Sequence, residues 1–421
     1  MSQSNNNQRP GLRRSLGLFE GITILIGITI GAGIYSTPQI IAGYQTSFVN
    51  ILLLWLIVGV FAYIGGLIYA ELGTRLPHTG GEYVYLSKAF GPYIGFLFVW
   101  AQLFIIRTSP AAGLAIITVD YFEHFVPLSA VNHTLLCILI IFWVGVLNYV
   151  GIKQASIYQN ISTVIKVGGL FFLVAAGLIL LQGEESGLKE VMPPASDLGP
   201  FAMFSSTMML IVFSYLGWDR VGYAAGEMKN PKRTIPRSMF IGIAIVVLTY
   251  LCAIFLYHYV LGMEGVRVSK RVASVTATEL FGPLGAGLIA IIVMISATGS
   301  INGTMMTAPR VYYAMAKEKL FFKWFDFVHP KFQTPSRAIV AHVVWAVVIL
   351  LVRQNFENIV AGMTFAVLIF YTFTTVALFK FRHMGVGGAD VYKMPWYPVL
   401  PAIYLLGLIL LLFVRIFFEW E

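Results

Sequence analysis

The chain has 421 residues, 58% of them hydrophobic and 11% charged, with a formal charge of +9. A soluble domain is about a quarter charged, so together with a mean hydropathy of +0.80 these values exclude a water-soluble fold and leave lipid as the matching solvent. The basic excess does not point to nucleic acid, because the lysines and arginines sit in short loops beside apolar runs, where they act as topology signals.

Residues 1–17 are polar, contain Arg9, Arg13 and Arg14, and read as a cytoplasmic tail with no cleavage-type signal peptide before the first apolar run. Runs long enough to cross a bilayer follow at 18–42, 48–71, 90–120, 134–151, 156–181, 199–225, 238–261, 280–308, 337–352, 355–380 and 396–418, which makes eleven transmembrane helices. With the N-terminus inside, only Lys189, Arg267, Lys270, Arg271, Arg353 and Arg415 of the 28 lysines and arginines fall outside or at an outer span end. That bias supports the inside N-terminus and a multi-pass protein of the cytoplasmic membrane. No connector is long enough for a separate soluble domain. Residues 317–327 mix Lys, Phe and Trp, which suits an interfacial amphipathic helix or a solvated connector. Cys137 and Cys252 each lie in an apolar run and read as packing residues.

Two spans carry the signature of an interrupted helix. The first contains Gly31-Ala32-Gly33, and the sixth contains Phe213-Ser214-Tyr215-Leu216-Gly217-Trp218-Asp219. Glycine mid-helix makes unwinding cheap, and in lipid an unwound turn survives only where protein or a watery cavity satisfies its backbone. Either glycine alone would read as a packing residue. Gly33 and Gly217 stand 184 positions apart, about five spans with their loops, so two five-helix repeats of opposite topology are expected at 18–182 and 199–380. Residues 381–421 add a further helix. Breaks at corresponding positions of two halves point to a transporter's site. The half-helix start in the first span would attract a carboxylate, and free carbonyls in the sixth would suit an ammonium. A zwitterionic α-amino acid presents both.

The same residues resemble the amino acid–polyamine–organocation superfamily, and within it the L-type amino acid transporters. The likeness runs over nearly the whole chain, through Gly31-Ala32-Gly33-Ile34-Tyr35 up to Pro38, Pro77-His78-Thr79-Gly80-Gly81-Glu82-Tyr83-Val84-Tyr85, the sixth-span motif with Glu227-Met228-Lys229-Asn230-Pro231, and Gly299-Ser300-Ile301-Asn302-Gly303 up to Arg310. The resemblance implies an all-α membrane fold of the leucine-transporter type, with a 5+5 inverted repeat, discontinuous helices one and six, and alternating access. It also implies roles. Backbone at Gly31, Ala32 and Gly33 would hold the substrate carboxylate, and carbonyls at Thr29, Phe213 and Leu216 its amino group. The Phe213 ring would gate the site, Ile106 would line the side-chain pocket, and Ser214, Gly217 and Asp219 share the sixth-helix break. The chain departs from the family pattern at Ala32, where serine is usual, at Asp219 and Gly222, where asparagines are usual, and at Arg107-Thr108-Ser109-Pro110, where proline usually follows the arginine directly. The loop at 121–133 lacks the cysteine by which animal members bind a heavy subunit, so a free-standing carrier, monomeric or weakly dimeric, is expected.

Lys166 lies ten residues into the fifth span, about 15 Å deep, and an ionisable group at that depth is a functional candidate. The resemblance places it beside helix one, where sodium-coupled relatives hold a cation; its ammonium would replace that sodium, brace helix one against helix eight, and could load and release a proton. Asp219 and Arg220 would pair with each other or with neighbours, or Asp219 would face the pocket and favour a cationic substrate. No cofactor or metal is implied. The function expected is secondary active amino-acid transport, by sodium-independent exchange or proton coupling. The alternatives on the same scaffold are a polyamine or cationic-amine carrier and an amino-acid sensor. A membrane enzyme would need a nucleophile with its base or a metal cluster at depth, and the scattered histidines supply neither.

Overall fold

The computed structural model describes the backbone of residues 14–31, 33–180, 188, 191, 193–195, 199–269, 271–352 and 356–418, and the side chains of all of these except 356–362, 415, 417 and 418. Arg9, Arg13, Ala32, Lys189, Lys270 and Arg353 lie outside the described residues. In chain order the helices are α1 (Leu18–Thr29), α2 (Gly33–Tyr44), α3 (Phe48–Arg75), α4 (Glu82–Phe90), α5 (Pro92–Ala101), α6 (Thr108–Phe122), α7 (Ala130–Val150) and α8 (Ile152–Leu180). They continue with α9 (Pro200–Tyr215), α10 (Pro231–Val268), α11 (Val272–Phe281), α12 (Pro283–Lys317), α13 (Ser336–Val352), α14 (Phe356–His383) and α15 (Val399–Phe418). Every expected span coincides with one helix or a broken pair. Among the described residues, nine helical stretches are long and apolar enough to cross a membrane, and Ser336–Val352 and Val399–Val414 are shorter apolar helices.

The first span is the pair α1–α2, and the sixth is α9 followed by a 3-10 segment, Trp218–Glu227. The third is also irregular: α5 runs into a π-helical segment, Gln102–Ile106, before α6. Pro110 supplies the reason. It has no N–H for the Ile106 carbonyl, and its ring crowds that carbonyl, so the turn before it widens. Arg107 N then donates to Gln102 O at 3.0 Å, five residues back, and Thr108 Oγ1 donates to Leu103 O at 2.8 Å. This loosening turns Arg107 into the protein interior.

The helices pack around the two interruptions. α1 lies between α8, α10 and α12, α2 lies on α9, and α12 lies along α6 and α8. α13, α14 and α15 pack outside this set, against α6, α4 and α3 respectively. α10 runs well beyond the apolar stretch 238–261 at both ends and bends at Gly262, whose φ is +67°. The expected amphipathic helix at 317–327 does not form. Lys319 adopts φ +63° and stops the chain at the end of α12, and only a single 3-10 turn, Lys323–Phe325, follows. Phe325 is buried against Phe321 while Phe322 and Trp324 stay exposed, so this stretch is a connector.

The interrupted helices fit together through glycine. A Cβ on Gly33 would stand 2.6 to 2.8 Å from Ser214 atoms, including its Cα. Gly217 has φ +129°, and a Cβ there would stand 3.0 to 3.2 Å from Ile28 and the Thr29 backbone. Gly33→Ala and Gly217→Ala should each cost about 1–3 kcal/mol through overpacking or backbone strain. Gly43→Ala, which meets open space, should not. Melting temperatures of the three variants in detergent check this; equal values for all three would contradict the fit.

Candidate functional site

At the end of α1 the intrahelical ladder stops, and side chains from other helices take over its carbonyls. Ile30 N still donates to Ile26 O, and Gly31 N donates to Thr29 O at 2.9 Å. Gly27 O and Ile30 O accept from Lys166 Nζ on α8, at 2.9 and 2.8 Å. The same ammonium donates to Ser296 O at 3.0 Å and contacts Ser300 Oγ at 3.2 Å, both on α12. Ser300 Oγ in turn donates to Gly27 O at 2.7 Å. Lys166 is fully buried, and among the described residues no carboxylate lies within ion-pair distance of it. Its charge is met by oxygens alone, at the negative end of the α1 dipole.

α9 ends similarly. Leu216 N donates to Phe213 O at 3.1 Å, and Leu216 takes extended angles before Gly217 turns the chain. One residue then ties both interruptions together: the Tyr250 hydroxyl, on α10, stands 2.8 Å from Thr29 O and 2.9 Å from Ser214 O. It has a single proton to donate to the two carbonyls. A second brace lies one turn deeper. Asn302 donates to Ala155 O and Gln159 Oε1 and accepts from Asn148, while Gln159 and Thr163 donate to Thr23 O on α1.

Between the two interruptions lies a pocket lined by Ile28, Thr29, Gly31, Gly33, Pro110, Leu114, Phe213, Ser214, Leu216, Arg220, Thr304 and Met363. Of the residues expected at the site, Thr29, Gly31, Gly33, Phe213, Ser214 and Leu216 meet here. Ile106 is buried but lies outside this lining, which on that helix comes from Pro110 and Leu114, beyond the π segment. Gly217 forms the turn itself, and Lys166 stands behind α1. The lining residues Arg220, Thr304 and Met363 were not legible as site residues. Thr304 lies one residue past the Gly299–Gly303 motif, and Arg220 follows Asp219, so proximity to motifs was the available signal.

Asp219 does not face the pocket. Its Oδ2 accepts from Arg107 at 2.6 Å and lies 3.1 Å from the Tyr223 hydroxyl, and its Oδ1 accepts from Tyr371 at 2.8 Å. Arg107 also donates to Gln102 Oε1 and the Tyr223 oxygen. The expected pairing of Asp219 is therefore with Arg107, from a helix 112 residues earlier in the chain. Among the described residues Asp219 forms no ion pair with Arg220. Asn in place of Asp219 would leave the Arg107 guanidinium buried without its counter-charge. Breaking a buried pair in that way costs about 3–5 kcal/mol, so Asp219→Asn should lower the melting temperature by many degrees. A variant as stable as the parent would show that the pair is dispensable.

Beside this pair lies Glu82, at the start of α4 and outside the spans. Its Oε1 accepts from Tyr69 and Thr374, each at 2.6 Å, and its Oε2 lies 2.9 Å from the Tyr223 hydroxyl. Tyr223 has one proton and two carboxylates to serve. A proton on Glu82 resolves the conflict. Burial first, and then the nearby Asp219 charge, push the Glu82 carboxyl up to about 7, against the opposing pull of the three hydroxyls. The folded state thus holds this proton more tightly than the unfolded chain does, and stability falls as pH rises from about 4.5 to about 7. The melting temperature should decline across that window, and Glu82→Gln should flatten the decline. An unchanged slope in the variant would show that Glu82 carries no such proton.

Comparison with known proteins agrees with this geometry. Residues 16–419 match the family described as amino acid permease. The chain is 30% identical over 400 residues to the serine/threonine exchanger SteT of Bacillus subtilis (strain 168), covering 94% of this chain and 90% of that relative. It is 29% identical to the human b(0,+)-type amino acid transporter 1, covering 90% of this chain and 78% of the relative. It is 27% identical to the human cystine/glutamate transporter, covering 95% and 80%. A helical membrane bundle, two interrupted helices meeting at a pocket, and a family match across the whole described length have one reading: the chain belongs to the amino acid permease family and carries amino acids across the membrane.

Proposed function

We propose that this permease is an exchanger, working by alternating access around the pocket between the two interruptions. The observation that carries the reading is the Tyr250 hydroxyl shared between Thr29 O and Ser214 O, which makes the two broken helices one unit around the pocket. The substrate carboxylate would sit at Gly31, Ala32 and Gly33, where α2 begins and its first N–H groups have no carbonyl a turn earlier. The amino group would sit at the Thr29, Phe213 and Leu216 carbonyls. Phe213 O accepts from Leu216 N, and Thr29 O meets both Gly31 N and the Tyr250 hydroxyl; the ammonium would take Thr29 O when the single Tyr250 proton goes to Ser214 O. The Phe213 ring would close over the pocket that it lines.

Lys166 would hold α1 to α12 in place of a bound sodium, so exchange would not need sodium. Asp219 would act as a positioning residue through Arg107 rather than by touching substrate. The name of one relative, the serine/threonine exchanger, supports antiport, and the basic loops support an N-terminus inside. The matched interruptions support two inverted five-helix repeats. The absence of a cysteine in 121–133 supports a carrier without a disulfide-linked heavy subunit, and nothing in the reading calls for enzymatic chemistry. A polyamine carrier is disfavoured, because the pocket lining has a guanidinium and no carboxylate.

Counterflow in proteoliposomes tests the proposal. Uptake of a labelled amino acid should require unlabelled amino acid inside and persist without sodium. Uptake driven by an acidic exterior into empty vesicles would instead indicate proton symport, and stabilisation by amino acids without any flux would indicate a sensor. If no α-amino acid raises the melting temperature while putrescine or agmatine does, the substrate class is wrong. Lys166→Ala removes charge-assisted hydrogen bonds worth about 1.5–3 kcal/mol each, and about 1.4 kcal/mol is tenfold in an equilibrium. Exchange should therefore fall about tenfold or more. Unchanged flux and pH dependence would take Lys166 out of the mechanism.

A further inference from the structure

Four ionisable side chains meet beside the pocket, and three of them are accounted for. Arg107 and Asp219 pair with each other, and Glu82 is held by hydroxyls. Arg220 is the remainder. It lies at the start of the 3-10 segment after the sixth-span break, is 4% exposed, and lines the pocket. Its guanidinium donates from one terminal nitrogen to Thr304 Oγ1 at 2.8 Å, a neutral hydroxyl that lines the same pocket. Its Nε, also buried, has no hydrogen-bond partner among the described residues, and neither does the side chain form an ion pair there. A buried guanidinium with no carboxylate in contact is costly, all the more when the nearby Asp219 is already paired with Arg107, and such groups persist where they meet a ligand. The rest of the lining offers hydroxyls, backbone and apolar side chains, but no carboxylate.

We propose that Arg220 is the specificity-determining residue of the pocket, binding the side-chain carboxylate of an acidic amino acid of the aspartate or glutamate type. This rests on the reading of the pocket as the amino-acid site. The planar guanidinium, with Nε and a terminal nitrogen on one edge, suits a carboxylate held by two parallel hydrogen bonds. The α-carboxylate and α-ammonium are accommodated at the interruptions themselves, so the second carboxylate is the group that needs a cation. Thr304 holds the guanidinium in the meantime and fixes its direction. The same charge repels lysine, arginine and diamines. An amide side chain of equal size lacks the charge, so glutamate against glutamine and aspartate against asparagine are the informative pairs.

The test uses the full-length chain in proteoliposomes loaded with a mixture of unlabelled amino acids. Counterflow of labelled L-glutamate, L-glutamine, L-aspartate, L-asparagine, L-serine and L-arginine is measured at pH 7. The parent protein should favour each acid over its amide and exclude arginine. In Arg220→Gln the glutamate-to-glutamine ratio should fall about 30-fold or more, the range seen when one partner of a buried charge pair is truncated, and Arg220→Lys should retain part of it. Three results overturn the proposal. One is parent-protein uptake of amides or serine with acid-to-amide ratios at or below one, which leaves the exchanger reading standing. Another is an Arg220→Gln variant in which both members of each pair fall together with the ratio unchanged, which moves Arg220 to the α-carboxylate. The last is no counterflow of any amino acid, which removes the exchanger reading as well. Should Arg220→Gln fail to fold, the parent protein's acid-to-amide ratios decide alone.

Discussion

A helix interrupted inside a membrane leaves carbonyls and N–H groups with no water to bond, and this constraint organises the whole structure. At the α1 end the carbonyls of Gly27 and Ile30 go to the Lys166 ammonium, and that of Thr29 goes to the Tyr250 hydroxyl. At the α9 end the Ser214 carbonyl shares the same tyrosine. The solution is asymmetric. The negative end of α1 receives the Lys166 amine from α8, whereas the positive start of α2, at Gly33, opens on the pocket. A dipole end supplied from within has no need of a ligand; one that opens on a cavity favours an anionic group. In the proposed reading, that asymmetry, more than any single contact, is what would favour a carboxylate in the pocket and put the Lys166 amine in the place of a sodium.

The charges around the pocket follow from the same economy of partners. Arg107 would have little to do on a straight helix. The π segment enforced by Pro110 turns it inward, where it neutralises Asp219 and caps the Tyr223 oxygen. Tyr69, Tyr223, Thr374 and Tyr371 then surround the two carboxylates with hydroxyls, and a proton on Glu82 lets Tyr223 donate its own to Asp219. With that cluster closed on itself, Arg220 is left on the pocket lining with the Thr304 hydroxyl and, among the described residues, no ion pair. Two adjacent residues, Asp219 and Arg220, thus point to different tasks, one scaffolding and the other facing the cavity.

The spans and both interruptions were legible in the sequence, because membrane length and mid-helix glycine act locally: twenty apolar residues or Gly31 and Gly33 declare themselves without neighbours. Lys166 was legible by its depth and by the resemblance that places it beside helix one. What could not be read was any pairing across the bundle. Asp219 beside Arg220 invites a local pair, yet its partner comes from Arg107, placed there by a proline three residues away whose effect on the helix is visible only in three dimensions. For the same reason Ile106 read as a wall of the pocket, whereas the widened turn hands that place to Pro110 and Leu114. The amphipathic pattern at 317–327 failed for a different cause. The positive φ at Lys319 ends α12, and the aromatic rings that suggested a membrane-surface face instead split, Phe325 packing inward and Phe322 outward.

The end of the bundle where α1 begins is held together by a distinct chemistry. Lys229 N donates to Leu16 O and Leu16 N to Glu227 O, so the chain before α1 is laced to the turn after the 3-10 segment. Glu227 pairs with Arg310 of α12, and Glu71 is shared between Arg75 and Arg382. A proposed exchanger must open this end in each cycle, which would be prohibitive if the closure were apolar packing in the core. Ion pairs are suited to the task. Their mutual attraction roughly offsets what they lose in leaving water, so an opening that admits water returns hydration as it breaks the contacts. In the proposed cycle, a substrate's differential binding would then have only a small net difference between closed and open to overcome. The interruptions, by contrast, are held through backbone carbonyls by Lys166 and Tyr250. In the proposed cycle the bundle would thus be braced where the substrate is read and ionic where the path must part, separating recognition from gating.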